Sequence, residues 1–157
     1  MLIERTFFVM KIAVSSDEKT PLTDFVIDEL KKRGHEVTLF GPLIDEDLPW
    51  TLASEKLADS VATGQTEQGV LFCYTGTGAS MAANKVPGIR AALVADAETA
   101  RGAKWWNDAN VLVMSLRATS TEVAREILDA WFSEQVRADE QATIKQLQDI
   151  EQRHAHS

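Results

Sequence analysis

The chain is short of several residue types, and each shortage closes off a class of function. One cysteine, Cys73, stands among 157 residues. No disulfide can form within the chain, and a reducing cytoplasmic setting is the expectation. Three histidines are present: His35 in a RGHEV turn, and His154 and His156 in the tail. No paired Cys/His spacing exists, so neither a metal centre nor another cofactor is expected. Basic residues are outnumbered, 16 Lys and Arg against 24 Asp and Glu, for a formal net charge of −8. An acidic surface repels nucleic acid and anionic membranes, so neither is an expected partner. The apolar N-terminus, MLIERTFFVMKIAV, is broken by Glu4 and Arg5. It is too short to span a bilayer and lacks a small-residue cleavage site, which argues against a signal peptide. Residues 1–10 therefore read as an extension or as the approach to a first strand, with Met10 as an alternative start. Residues 11–157 read as a single domain.

What the chain does have is apolar residues, 45% of the total, enough for one real core. They fall in two rhythms. Five short runs are nearly continuous: KIAVS (11–15), EVTLF (36–40), GVLFCY (69–74), RAALV (90–94) and NVLVMS (110–115). Such runs suit strands buried on both faces of a parallel sheet. Between them the period is near 3.6. Leu22, Phe25, Val26 and Leu30 make one helical stripe, with Pro21 in the first turn and Gly34 just past the end. Leu52, Leu57 and Val61 make a second stripe ending at Gly64, and AETARGAKWWND and STEVAREILDAWFSEQ supply two more helices. This alternation predicts an α/β fold, a three-layer α/β/α sandwich around a five-stranded parallel sheet. A charged C-terminal helix follows, with a thin stripe of Ile144, Leu147 and Ile150 that must dock on the domain or on a second subunit.

In an open parallel sheet ligands bind at the carboxyl ends of the strands. The loop after the third strand, in FCYTGTGASMAANK (72–85), has suitable parts. Gly76 and Gly78 allow close backbone approach, and a helix expected to begin near Ala79–Ser80 would turn free N–H groups toward a ligand. Such a terminus receives phosphate, a carboxylate or an enediolate oxyanion. A glycine-assisted turn without a ligand is the plainer reading. Cys73, beside that turn, is either core filler or a base or nucleophile activated by the helix end. Asp17 and Glu18 follow the first strand, where they are placed for sugar hydroxyls or proton transfer; Asp17 competes with Thr20 as the cap of the next helix. Trp105 and Trp106 are adjacent and cannot share one helix face, so one of them faces a cleft or an interface. A nucleotide-binding reading is weaker. Met81 stands where the GxGxxG fingerprint needs its third glycine, and the second strand ends in Phe40-Gly41-Pro42 without an acid.

The run GVLFCYTGTGASMAANKVPGIRAALVADAETARGAKWWNDANVLVMSLR (69–117) resembles the ribose-5-phosphate isomerase type B and galactose-6-phosphate isomerase family. That family shows C-G-T-G-x-G-x-S-x-x-A-N-K, then GIRAA, H-N-D-x-N-V-L and G-x-R. The resemblance extends from about Lys11 to Gln152. It implies a Rossmann-like α/β/α fold, a homodimer or tetramer with sites between subunits, and metal-free aldose–ketose isomerisation of a sugar or sugar phosphate through an enediolate. By matched position it implies Cys73 as the base and Thr75 beside it for ring opening or orientation. It implies the backbone of Gly76, Thr77, Gly78, Ala79 and Ser80 as an anion hole, and Asp17 and Asn107 as sugar contacts. Arg90 and Arg117 match arginines read as structural.

The departures from that pattern concern the substrate. The family's H-N-D is Trp106-Asn107-Asp108, so the imidazole that protonates a ring oxygen is missing. The Asp-His that follows the first strand in ribose-5-phosphate isomerases is Asp17-Glu18, which resembles galactose-6-phosphate isomerase instead. Two phosphate-binding arginines fall on Asp139 and Thr143, with only Arg137 close by, and Tyr74 replaces a glycine. Losing cations and gaining a carboxylate disfavours a phosphate dianion, while Trp106 offers a stacking surface. The expectation is an isomerase with an altered active site, acting on something other than ribose 5-phosphate, such as an unphosphorylated or a short open-chain sugar that needs no ring opening. A sugar-binding or regulatory subunit without activity is the alternative.

Overall fold

The five apolar runs form one parallel sheet. In the computed structural model, which describes residues 8–155, the strands are β1 (Lys11–Ser16), β2 (Glu36–Phe40), β3 (Gln68–Cys73), β4 (Ala91–Leu93) and β5 (Val111–Ser115). Their order is β2-β1-β3-β5-β4, with every pair parallel. The helices are α1 (Pro21–Lys32), α2 (Trp50–Ala62), α3 (Thr77–Asn84), α4 (Ala97–Asn107), α5 (Thr121–Ser133) and α6 (Gln141–Arg153), with 3-10 turns at Gly41–Ile44 and Ala138–Glu140. Residues 1–7 of the expected N-terminal extension lie outside the described residues. Met10 is tied in: its N–H donates to His35 Nδ1 (3.2 Å) and its carbonyl accepts from Glu36.

Side-chain alternation along the strands builds two cores. Ile12 and Val14, Val70 and Phe72, and Leu112 and Met114 face α1, α4 and α5, where Val26, Leu30, Ala100, Ile127, Leu128 and Trp131 meet them. Ala13, Leu71, Cys73, Val111 and Val113 face α2 and α3, against Leu57, Ala58, Ala79 and Ala83. The three central strands are buried on both faces, as continuous apolar runs require, and each large aliphatic side chain so buried contributes roughly 1.5–3 kcal/mol. The edge strands β2 and β4 are only half-buried.

Helix boundaries follow local chemistry. Thr20 caps α1, exchanging hydrogen bonds with Thr23 in a reciprocal box, so Asp17 is not the cap. Asp96 and Ser120 cap α4 and α5, each side chain accepting the backbone N–H three residues on. One helical stripe is corrected: Leu52 is exposed, and α2 buries Ala53, Leu57, Ala58 and Val61 instead. On α6 only Ile144 is buried, while Leu147 and Ile150 remain about half exposed.

Candidate functional site

The chain leaves β1 for β2 on one side of the sheet and crosses to β3 on the other, so the order reverses between β1 and β3. A crevice opens outside the strand ends at such a point, and ligands bind there in this class of sheet. The β1 and β3 loops meet at that crevice. Asp17 Oδ2 accepts the Tyr74 N–H at 3.3 Å, while Asp17 Oδ1 is buried with no hydrogen-bond partner. A buried carboxylate oxygen without a donor is costly, and a ligand hydroxyl is the natural way to satisfy it.

Cys73 ends β3 with its side chain on the α2/α3 side of the sheet, buried except for 6% of its surface. Gly76 then turns the chain through a left-handed conformation (φ 84°) and caps α3. A Cβ at Gly76 would lie 2.5 Å from Leu93 Cδ1, which would have to move, and the left-handed φ itself favours glycine. This turn aims the Gly76 N–H at Cys73 Sγ, 3.0 Å away.

The helix therefore starts at Thr77, two residues earlier than the sequence predicts, and the donors are redistributed. Gly76 serves the sulfur and the Ser80 N–H returns to the Gly76 carbonyl, so neither N–H is free. The amides of Thr77, Gly78 and Ala79 have no hydrogen-bond partner among the described residues. They carry the positive end of the α3 dipole. Thr75 Oγ1 and Thr77 Oγ1 share a hydrogen bond of 2.9 Å beside them. Glu18 is exposed; its backbone is fixed to Ser16 Oγ and its side chain makes no hydrogen bond or ion pair among the described residues.

Three further residues shape this loop without standing out in the sequence. Ser115, paired with Cys73 across β3 and β5, donates from Oγ to the Tyr74 carbonyl at 3.0 Å. Trp50 lays its ring on Gly78; a Cβ there would be 3.0 Å from it. Arg117, read as structural, donates its N–H to the Tyr74 carbonyl and holds its guanidinium 5.8 Å from the Tyr74 ring centre. That side chain is exposed and forms no ion pair among the described residues. A serine, a tryptophan and an arginine far apart in sequence give no local signal of this convergence.

Trp106, Asn107 and Arg137 lie in a second cluster, at the end of α4. No hydrogen bond or ion pair joins it to the Cys73 loop among the described residues. Trp106 is 48% exposed and, with Asn107, lines a groove of about 250 Å³ against Thr143, Leu147 and Ile150 of α6. Trp105 takes the other face: Arg137 stacks on it at 4.3 Å, and its indole N–H donates to Glu134. The corner itself is clamped. Asp108 is left-handed (φ 46°), Arg90 Nε donates to its carbonyl at 2.7 Å, and Lys104 Nζ donates to the Ala109 carbonyl at 3.0 Å. Burial beneath Trp131 pushes the Lys104 ammonium below its ordinary range. Among the described residues no cluster of His, Cys, Asp and Glu suits a metal ion, and no helix is long and apolar enough to cross a membrane.

Comparison with known proteins adds an independent line. Residues 12–150 match the family model described as Ribose/Galactose Isomerase. The chain is similar to Ribose-5-P isomerase B of Listeria innocua, with 33% identity over 146 residues, covering 92% of this chain and 99% of that protein. It is similar also to D-erythrulose-4-phosphate isomerase of Pectobacterium atrosepticum, with 33% identity over 125 residues, covering 78% of this chain and 82% of that protein. Among solved structures it matches ribose-5-phosphate isomerase B of Clostridium thermocellum with a TM-score of 0.86 at 34% identity, covering 93% of this chain and all of that one. The expected three-layer α/β/α fold is thereby met in full.

Proposed function

This chain belongs to the ribose/galactose isomerase family, and from that premise we propose that it interconverts the aldose and ketose forms of a short, open-chain sugar phosphate. The observation that carries the reading is the set of free groups on the loops that meet beside Cys73: three unpartnered α3 amides and the orphan oxygen of Asp17, whose other oxygen holds the Tyr74 N–H.

The chemistry follows from those groups. Cys73, as thiolate, takes a proton from the carbon beside the carbonyl. The C–H electrons become the C1–C2 double bond and the carbonyl electrons move onto oxygen. The resulting oxyanion falls to the amides of Thr77, Gly78 and Ala79, fixed donors that need no reorganisation. Asp17 Oδ1 accepts the hydroxyl on the deprotonated carbon, and Thr75 orients another. As the thiol returns its proton to the former carbonyl carbon, the hydroxyl's proton passes to the oxyanion and the carbonyl re-forms on the deprotonated carbon. The N–H of Gly76 supports the cycle, since a thiolate accepts that bond more strongly than a thiol.

Two features favour a substrate that never closes to a ring. The Trp106 indole N–H can donate a hydrogen bond but is not an acid that protonates a ring oxygen. A relative acts, by its name, on D-erythrulose 4-phosphate. With O4 phosphorylated, neither that ketose nor its aldose partner can form a five-membered ring, so no ring-opening acid is needed. The phosphate needs a cation, and Arg117 holds an unpaired guanidinium at the crevice. Trp106, Asn107 and Arg137 then complete the site from a second copy of the chain. The single thiol suits a reducing cytoplasm.

Solvent deuterium exchange at C1 of D-erythrulose 4-phosphate and at C2 of the aldose formed from it, followed by NMR, tests the reading. Wild type exchanges and forms the aldose; Cys73→Ala, folded by circular dichroism, is slower by about 10²–10⁴-fold. Binding without exchange would leave a sugar-binding subunit. For the shared site, mixing Cys73→Ala with Asn107→Ala, each inactive alone, restores roughly a quarter of wild-type activity in a dimer, because half the dimers are mixed and hold one intact site.

A further inference from the structure

Tyr74 is the most unusual side chain at the crevice, and the catalytic reading makes no use of it. Its peptide is held from three directions: Asp17 Oδ2 takes its N–H (3.3 Å), while Ser115 Oγ (3.0 Å) and the Arg117 N–H (3.1 Å) donate to its carbonyl. The backbone is thus fixed across the loops after β1, β3 and β5. Yet its ring is 60% exposed, with the Arg117 guanidinium at its face. A large aromatic ring held on a rigid loop end and left in solvent is an arrangement for contacting a ligand.

We infer that Tyr74, with Arg117 at its face, sets the length of the sugar chain that the site accepts. This inference rests on the proposed function, in which C1 and C2 react at Cys73 and the phosphate is held by Arg117. Tyr74 is the next residue after Cys73, and the main chain of Arg117 is hydrogen-bonded to Tyr74 itself. Reacting carbons and phosphate are therefore tied to adjacent points of one rigid loop. A four-carbon chain spans that interval; each further CHOH group drives the chain into the ring. Rejecting one extra carbon by a wall is ordinarily a 10–200-fold effect.

The test uses two carboxylate analogues as probes, D-erythronate 4-phosphate and D-ribonate 5-phosphate, with affinities measured calorimetrically for wild type, Tyr74→Ala and Tyr74→Phe. Wild type is expected to bind the four-carbon probe more tightly, by about 10-fold or more. Tyr74→Ala is expected to shift the affinity ratio at least about 10-fold toward the five-carbon probe, while Tyr74→Phe keeps the ratio because the ring remains. A ratio unchanged in Tyr74→Ala, an equal shift in Tyr74→Phe, or failure of wild type to bind either probe would overturn the inference. Because the readout is binding, it is separable from the isomerase reading: tight, length-selective binding without deuterium exchange would sink the catalysis and leave the role of Tyr74 standing.

Discussion

The Gly76 N–H points at the Cys73 sulfur from 3.0 Å because Gly76 takes a left-handed backbone (φ 84°) that side chains rarely adopt. One glycine therefore fixes the sulfur's donor and the start of α3. Gly76→Ala must relieve a 2.5 Å approach to Leu93 and adopt a φ of +84°. The expected cost is about 1–3 kcal/mol, read as a lowered urea midpoint. Turnover should fall further than Leu93→Ala alone would cause, because relaxing the strained turn swings the residue-76 N–H away from the sulfur. If Gly76→Ala leaves both midpoint and turnover unchanged, the turn is not strained and the N–H–sulfur bond has no role.

Trp106→His tests the link between the missing acid and an open-chain substrate. If Trp106 stands where ring opening would need an imidazole, the variant should gain activity on D-ribose 5-phosphate by about 10²-fold. Activity on D-erythrulose 4-phosphate should change little. Equal gains or losses on both substrates would break the link. Trp106 is half exposed and lies outside the core, so the substitution should not threaten the fold.

Much of this is legible in the sequence, and the boundary has physical causes. EVTLF coincides with β2 residue for residue, and no end of the other strands shifts by more than one residue; the three central strands are doubly buried and leave continuous apolar runs. Pro21 and Thr20 mark the α1 start for the same local reason that a cap works. The start of α3 is misplaced from sequence because Gly76, Thr77 and Gly78 look like loop, whereas Gly76 is the left-handed cap and the next two residues are already helical. Leu52 fits a helical period yet faces solvent, since periodicity cannot tell a core from a groove. Asp17 and Cys73 stand out by position at strand ends. Their meeting depends on the β1–β3 crossover, as the roles of Ser115, Trp50 and Arg117 depend on tertiary contacts. Assigning Arg137 by motif alone gives no hint that it stacks on Trp105.

His35 couples stability to pH. Its Nδ1 accepts the Met10 N–H, its ring lies 4.7 Å from that of Phe132, and it is 8% exposed. Burial, reinforced by Arg33 and opposed by Glu67, lowers its proton affinity below the ordinary value of 6.5. The unfolded chain thus takes up a proton at higher pH than the folded chain. Between the two values it binds more protons, so stability rises with pH there and is lost as pH falls below 6.5. The urea midpoint of wild type should drop more steeply than that of His35→Gln between pH 7.5 and 5, a range of roughly one unit above to one and a half below. Parallel curves would exclude His35 as a source of the loss.

Asp17→Asn separates the two oxygens of one carboxylate. The amide oxygen can still accept the Tyr74 N–H, so the loop junction and the fold should survive, with a melting temperature within a few degrees of wild type. The buried Oδ1, however, becomes an NH₂ group, a donor where the proposed site needs an acceptor. A hydroxyl meeting that donor loses its partner, and a site built to hydrogen-bond a hydroxyl discriminates steeply when the bond is missing. Catalytic efficiency should fall by about 10²-fold or more, with affinity for D-erythronate 4-phosphate falling in parallel. If efficiency and affinity both stay near wild type, Oδ1 meets no substrate hydroxyl and Asp17 serves only to hold Tyr74. If affinity holds while turnover falls, the contact belongs to the enediolate and is made only once the proton has left carbon.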